Sequence, residues 1–571
     1  MVSRLVRSPT DVPTDLEIAQ AATLKPSSEI GAALGLAEDE LEPYGRHVAK
    51  IAPTSEPPGA GSRYVVVTAV TPTPLGEGKT TTTIGLTQGL ARLGERPVAV
   101  LRQPSLGPVF GIKGGAAGAG LSQVLPMETM NLHLTGDFHA VTAAHNLLAA
   151  MIDNHLQHGN ALRLAPHSIT WGRVLDVNDR ALRNLVLGLG GRLDGVPRQS
   201  RFDITAASEV MTILALATSR ADLRERLGRI VIGFDADGAP VTAEDLKAAG
   251  SMAVLLTDAV RPNLLQTLEG QPALVHAGPF GNIATGHSSI LADQVGLARA
   301  GVVVTEAGFG ADLGFERFIN VKCRTSGLVP HAAVVVVTVR ALKVHSGRYQ
   351  VVAGRPLPEG LLAENPDDVA AGLVNLAHHL DVVAAAGVPA VVAINVFPDD
   401  HASEHAVITR FAAQRGVRCA ATRHVAEGGA GAEKLARAVL AACGDGTTLR
   451  YSYELDAPLT GKLEALATGV YGASGVDIAP VAAAELRRLT DLGFGSLPVL
   501  VAKTHLSTTA TPSDRGAPKG WRLPIREVRL AAGAGYVYAL AGAMQTMPGL
   551  GSHPAAERMD LDADGRIVGL V

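Results

Sequence analysis

The stretch Thr73-Pro74-Leu75-Gly76-Glu77-Gly78-Lys79-Thr80 carries the residue types that hold phosphate. Glycines let a turn bring successive backbone N–H groups to face one point, and a helix N-terminus behind the turn adds positive potential there. Lys79 is placed to reach terminal phosphates, and the Thr80 hydroxyl to hold Mg2+. The pattern is that of a P-loop with one change: Thr73 stands where the first glycine is usual.

Such a turn works only between a strand and a helix. The β-branched run 65–67 predicts the strand, and Leu86, Leu90 and Leu93 at i, i+4, i+7 predict the helix, with Gly94 as its stop. A second buried strand, 98–101, ends in Arg102. In open parallel sheets ligands bind beyond the carboxyl ends of strands. With this strand near the first, Arg102 points at the same phosphate.

Residues 107–120 are too rich in glycine for a regular element. They read as a linker or as a backbone-lined anion loop with Lys113, and the place directly after Arg102 favours the loop. Asp137 holds Mg2+ through water if its loop sits beside Thr80. Phe397 stands at the end of a strand, either as core packing or as a stacking platform for a flat ligand. His139, His145, His155 and His158 lack metal-ligand spacing and read as capping and core residues.

The wider pattern alternates strands and helices. Strand-like runs fall at 230–232, 273–277, 302–305, 334–339, 391–396 and 499–502. Helical stretches fall at 18–24, 30–36 (with Ser27 or Ser28 as N-cap), 143–156, 182–187, 208–217, 243–249, 289–300 and 432–442. Polar loops after 276, 305 and 339 are candidate rims of one crevice. The expected fold class is α/β and P-loop NTPase-like: a mostly parallel sheet covered by helices, with two smaller α/β additions. The expected organisation is an N-terminal helical segment and linker over 1–60 and a nucleotide-binding domain over 61–365. A second α/β domain over 366–450 and a C-terminal one over 451–571 follow. Residues 235–238 read as a hairpin turn, and 560–565 as an Asp-Gly turn between short strands, since Val571 stands where a calcium loop needs its last acid.

Composition excludes several classes. Of 571 residues, 47% are apolar and the net charge is −4, with no Lys/Arg block, which argues against nucleic acid as partner. The longest apolar runs are too short to span a bilayer, and Arg4 and Arg7 precede no apolar core of a secretory signal. The three cysteines, Cys323, Cys419 and Cys443, form no Cys-x-x-Cys and read as isolated thiols of a reducing cytoplasm.

The motifs Thr73–Thr80, 104–108, 111–118, 135–140, 305–314 and 339–343 together resemble the formate–tetrahydrofolate ligase family, over nearly the whole chain. The resemblance implies an enzyme that joins formate to tetrahydrofolate, making 10-formyltetrahydrofolate, ADP and phosphate through formyl phosphate. It implies ATP bound by Thr73, Pro74, Leu75, Gly76, Glu77, Gly78, Lys79 and Thr80, and catalysis by Lys79 and Arg102. Folate would stack on Phe397 beside Pro398, with Mg2+ required, a response to monovalent cations, and a cytoplasmic homotetramer. Six positions depart from the family pattern: Gln103 for Glu after the arginine, Ala119 and Leu121 in the glycine loop, Ser346 for Gly, Val425 for Trp and Glu427 for Lys. Gln103 removes a charge that could orient Arg102. Val425 removes one face of the folate sandwich, a loss of roughly 1–3 kcal/mol of binding. The departures leave two alternatives: a relative that binds nucleotide with little formyl transfer, or a related carboxylate–amine ligase.

Overall fold

The computed structural model describes residues 13–281, 284–352, 355–542 and 544–570, apart from the Lys113 side chain. Arg4, Arg7 and Val571 lie outside the described residues. Seven strands run parallel: β1 Arg63–Ala69, β2 Pro97–Leu101, β3 Pro272–Val275, β4 Val302–Glu306, β5 Ala332–Val337, β6 Ala390–Asn395 and β7 Arg418–Thr422. Their order across the sheet is β3-β2-β4-β1-β5-β6-β7. Beyond β3 the sheet continues antiparallel through Asn263–Thr267, Ala49–Ile51 and Leu41–Pro43.

Both sheet faces are covered, so the strands are apolar throughout rather than alternating. Successive side chains on β1 still point to opposite faces. Val65, Val67 and Ala69 pack with Leu86 and Leu90 of helix α1 (Lys79–Arg92) and with Leu435 and Val439 of helix Glu433–Cys443. Tyr64 and Val66 face the other layer, with Val295 from helix Ile290–Arg299 and Leu376 and Val383 from helix Pro366–Ala385. The order places β4 and β5 on either side of β1. The chain therefore winds both ways from β1, and its carboxyl end opens at a crevice.

β2 lies near β1, with β4 between them in register with both. Several expectations are corrected. The segment 366–450 builds no sheet of its own, because β6 and β7 extend the central one. The run at 230–232 belongs to an antiparallel pair, Val231–Phe234 with Pro240–Thr242, outside the parallel sheet. Residues 235–238 turn between them as expected. Leu185–Leu187 is a strand paired with Arg198–Ser200 rather than a helix. The first helix ends at Ala21, with Thr14 as its N-cap. The second starts at Ser27 with Pro26 in the cap position and no side-chain cap bond. The helix expected at 243–249 starts only at Ala249, after Lys247 turns at φ 57°.

The C-terminal part carries its own small sheet, Val499–Ala502, Tyr536–Leu540 and Glu527–Ala531. Short strands Asp560–Leu561 and Ile567–Val568 flank the expected Asp-Gly turn. Among the described residues no helix is long and apolar enough to cross a membrane.

Candidate active site

The loop after β1 is shaped by two left-handed glycines and one buried carboxylate. Gly76 has φ 78° and Gly78 has φ 76°, conformations that cost an L side chain energy. Gly78 occupies the N-cap of α1, and its carbonyl accepts from the Thr81 and Thr82 hydroxyls at 2.8 Å each. The Glu77 side chain turns inward, 1% exposed. It accepts from the Thr73 N–H at 2.7 Å and the Thr338 hydroxyl at 2.6 Å. Burial raises the Glu77 pKa, and those two donors oppose the shift. Glu77 is thus the brace of the loop, while Pro74, Leu75 and Gly76 form its exposed crown. Behind the loop, the amide of Asn395, at the end of β6, donates to the Glu77 carbonyl at 3.2 Å.

Beside the loop stands a residue whose role sequence reasoning left unassigned. Glu306 ends β4, the strand between β1 and β2. Its Oε2 accepts from the Thr80 hydroxyl at 2.6 Å, and its Oε1 lies 3.5 Å from Nε of Arg102. Arg102 also reaches the Pro279 carbonyl at 3.5 Å. The expected meeting of Thr80 and Arg102 therefore occurs across Glu306. The carboxylate that orients Arg102 comes from β4, and Gln103 is not needed for it.

A cavity of about 400 Å³ opens here, lined by Thr80, Arg102, Gln103 and Glu306 on one side and by Lys503 and His505 on the other. The C-terminal wall was not foreseen. Val499–Ala502 carries it in, and Lys503 is anchored to Asp312 at 2.7 Å and to the Ser507 carbonyl at 2.6 Å. Burial pushes Lys503 below the usual ammonium range. The His505 ring stacks on Phe309, centroids 4.4 Å apart, with Phe309 held at φ 61°. Gln103 is 2% exposed, and neither its Oε1 nor its Nε2 has a hydrogen-bond partner. Its backbone N–H is bonded to the Ala277 carbonyl at 2.8 Å.

Asp137 is corrected. It starts helix Asp137–Gln157, is 2% exposed and forms an ion pair with Lys50 at 2.7 Å. Asn263 donates to its other oxygen at 2.7 Å. A carboxylate held by a buried ammonium and an amide is a structural group, and Glu306 stands in its place beside Thr80. His145 stacks on Trp171, and among the described residues no group of three or more His, Cys, Asp or Glu could hold a metal.

Phe397 and Val425 follow the carboxyl ends of the neighbouring strands β6 and β7. Phe397 is half-buried, with the Arg340 guanidinium 4.4 Å from its ring centre, so one ring face is already taken. Pro398 beside it is exposed. Val425 belongs to the short helix His424–Glu427, which reaches α1 through His424 Nε2 at 3.2 Å from the Thr81 hydroxyl. Its carbonyl accepts from the Leu121 N–H at 2.8 Å, so two of the departures touch each other. Glu427 is exposed, and Ser346 bonds back to the Lys343 carbonyl at 2.6 Å. The glycine-rich stretch is more regular than expected: it holds a helical turn, Leu106–Lys113, and the strand Gly118–Ala119 paired with Gln123 and Ser122. The Lys113 side chain lies outside the described residues.

A helix-capping glycine loop at the central strand end, an acid bridging to an arginine, and an adjoining cavity define an α/β protein with a crevice at the carboxyl end of its central strand. Within that class, the chain belongs to the formate–tetrahydrofolate ligase family, whose model matches residues 13–571. It is 61% identical to the formate–tetrahydrofolate ligase of Cutibacterium acnes, over 98% of this chain and all of that protein. The ligase of Saccharopolyspora erythraea is 61% identical over the same shares, and that of Desulforamulus reducens 53% identical over 98% and 99%.

Proposed function

We propose that this chain ligates formate to tetrahydrofolate with ATP, releasing 10-formyltetrahydrofolate, ADP and phosphate. Family membership supports this reading, and the Thr80–Glu306–Arg102 bridge beside the glycine loop carries it. We read the fold as P-loop NTPase-like, because the Gly-Lys-Thr turn joins the central strand to α1.

Formate is a weak electrophile, so one carboxylate oxygen must first be phosphorylated. A formate oxygen bonds to the γ-phosphorus while the bond to the bridging oxygen breaks and ADP leaves. Phosphoryl transfer asks mainly for positioned positive charge, which Lys79, the loop amides and Arg102 supply. N10 of tetrahydrofolate then attacks the formyl carbon, the carbon–oxygen bond to phosphate breaks, and N10 loses its proton. Phe397 offers its free face to the pterin.

The donors beside the phosphate site are a hydroxyl and a carboxylate, Thr80 and Glu306, hard oxygen ligands that suit Mg2+. When bound, the ion offsets charge on the transferring phosphoryl group. Dependence on a monovalent cation, assembly as a homotetramer and a cytoplasmic location belong to the same reading and rest on the family alone. The test is ADP release with each substrate omitted in turn. Full rate only with formate and ATP present, and formyl transfer only with tetrahydrofolate added, supports it; background rates with everything saturating overturn it.

A further inference from the structure

We propose that Asp176 is a positioning residue of this site, holding the chain just after Arg102 through Ser105 and Leu106 and making turnover depend on its own ionisation. The inference rests on the ligase reading above and adds to it a residue from outside the crevice. Ser105, Pro108 and Val109 line the same cavity as Thr80, Arg102 and Glu306. Their wall is the helical turn Leu106–Lys113, too short to be stable by itself. A carboxylate 71 positions away braces it. Asp176 Oδ1 accepts from the Ser105 hydroxyl at 2.6 Å, and Oδ2 accepts from the Leu106 N–H at 2.8 Å. Asp176 follows strand Arg173–Leu175, which pairs in parallel with Phe202–Ile204, so its place is set by a separate small sheet. Two residues on, the Asn178 amide donates to the Gly107 carbonyl at 2.9 Å. A Cβ at Gly107 or Gly111 would run into that amide, so segment 176–178 lies directly against the turn.

Asp176 is 8% exposed. Burial pushes its carboxyl up to about 6, against the pull of its two donors. The charged groups on the elements around it are engaged with other partners. Arg173 pairs with Asp153 of helix Asp137–Gln157, and Arg201 with Asp203 on the neighbouring strand. Arg180 and Arg183, on the turn that follows, donate to the Leu550 and Met547 carbonyls. The braced turn has no acid or base from Leu106 to Ile112. Ionised, Asp176 accepts from both donors. Protonated, one of its oxygens becomes a donor, and the Ser105 hydrogen loses its acceptor in a buried place. That loss falls on the wall of the cavity three residues from Arg102.

The test measures kcat/KM for formate against pH in the full chain, at saturating ATP and tetrahydrofolate, for the parent, Asp176→Asn and Ser105→Ala. Melting temperatures show which variants fold. Asparagine stands in permanently for the protonated acid: its oxygen still takes the Leu106 N–H, while its NH2 group meets Ser105. The inference expects kcat/KM of the parent to fall about tenfold as pH drops from neutral, with its midpoint at about 6. Asp176→Asn should be flat over that range, at the low level the parent reaches in acid. Ser105→Ala should lose the acid limb too, since the hydroxyl that carries the change is gone. A parent without the limb, a folded Asp176→Asn that keeps it, or one that is flat at the parent's neutral level overturns the inference while the ligase reading stands. If Asp176→Asn does not fold, Ser105→Ala decides alone, and a retained limb there overturns it. If the parent chain itself shows no formate-dependent ADP release, the ligase reading falls and this inference with it.

Discussion

Glu306 joins two residues that no strand pairing brings directly together: its Oε2 accepts from the Thr80 hydroxyl at 2.6 Å while its Oε1 lies 3.5 Å from Arg102. Replacing that carboxylate by an amide removes the charge that holds Arg102 and leaves a single neutral oxygen for the Thr80 hydroxyl. Glu306→Gln is expected to lower kcat about 100-fold, the usual scale for one preorganised electrostatic group. The melting temperature should stay within a few degrees of the parent. Steady-state ADP release and a thermal melt check it; unchanged kcat removes Glu306 from the mechanism.

Gly78 has no room for a side chain. A Cβ built there lies 2.3 Å from Nδ2 of Asn395, and its φ is 76°. Gly78→Ala is expected to destabilise the fold by about 1–3 kcal/mol and to weaken nucleotide binding at least tenfold. Calorimetry and an ADP titration measure both. Gly94→Ala is the control: the same left-handed φ, 85°, but nothing within 4 Å of the added Cβ and no ligand nearby, so it should cost stability and leave ADP binding intact.

Val425 and Phe397 follow the carboxyl ends of the neighbouring strands β7 and β6. Val425→Trp is expected to lower the KM for tetrahydrofolate about tenfold, in line with the 1–3 kcal/mol that a stacked aromatic adds. The KM for ATP reports whether the new ring also meets the nucleoside. Because the Val425 carbonyl binds the Leu121 N–H through backbone, the loop should keep its shape. An unaltered tetrahydrofolate KM argues that folate does not stack between these strand ends.

Glu316 gives a pH-dependent prediction. It is buried, Oε1 accepts from Asn320 at 2.8 Å, and Oε2 has no partner. Burial raises its pKa to about 7 from an ordinary 4.5. The folded state therefore holds this proton more tightly than the unfolded state. Its stabilisation is complete below about pH 4.5 and is lost as pH rises through 7, roughly 3 kcal/mol in all. Glu316→Gln should match the parent near pH 5 and melt higher than it at pH 8. Parallel melting curves for the two proteins across that range would refute the assignment.

The catalytic core of the sheet was legible where the signals were local. β1, the Gly-Lys-Thr turn and α1 follow from β-branched runs, glycine placement and a leucine spacing that all fall within about thirty residues, and the resemblance covered what those motifs imply. Residues 182–187 misled because a leucine-rich stretch between arginines fits a helix period as well as an edge strand, and only its partner 198–200 decides. Asp137 misled because a lone acid after a turn looks the same whether it meets a metal or a lysine, and Lys50 is eighty-seven positions away.

Sequence alone determined the glycine loop between strand and helix, the buried parallel strands and the family, because turn chemistry, hydrophobic period and motif spacing are properties of neighbouring residues. Only the tertiary structure decided that β4 enters between β1 and β2 and so sets Glu306 between Thr80 and Arg102. It also decided that Asn395 backs the loop and that Lys503 and His505 close the cavity. Strand order and long-range packing are settled by which faces must be buried together, and that choice is made by the whole chain at once.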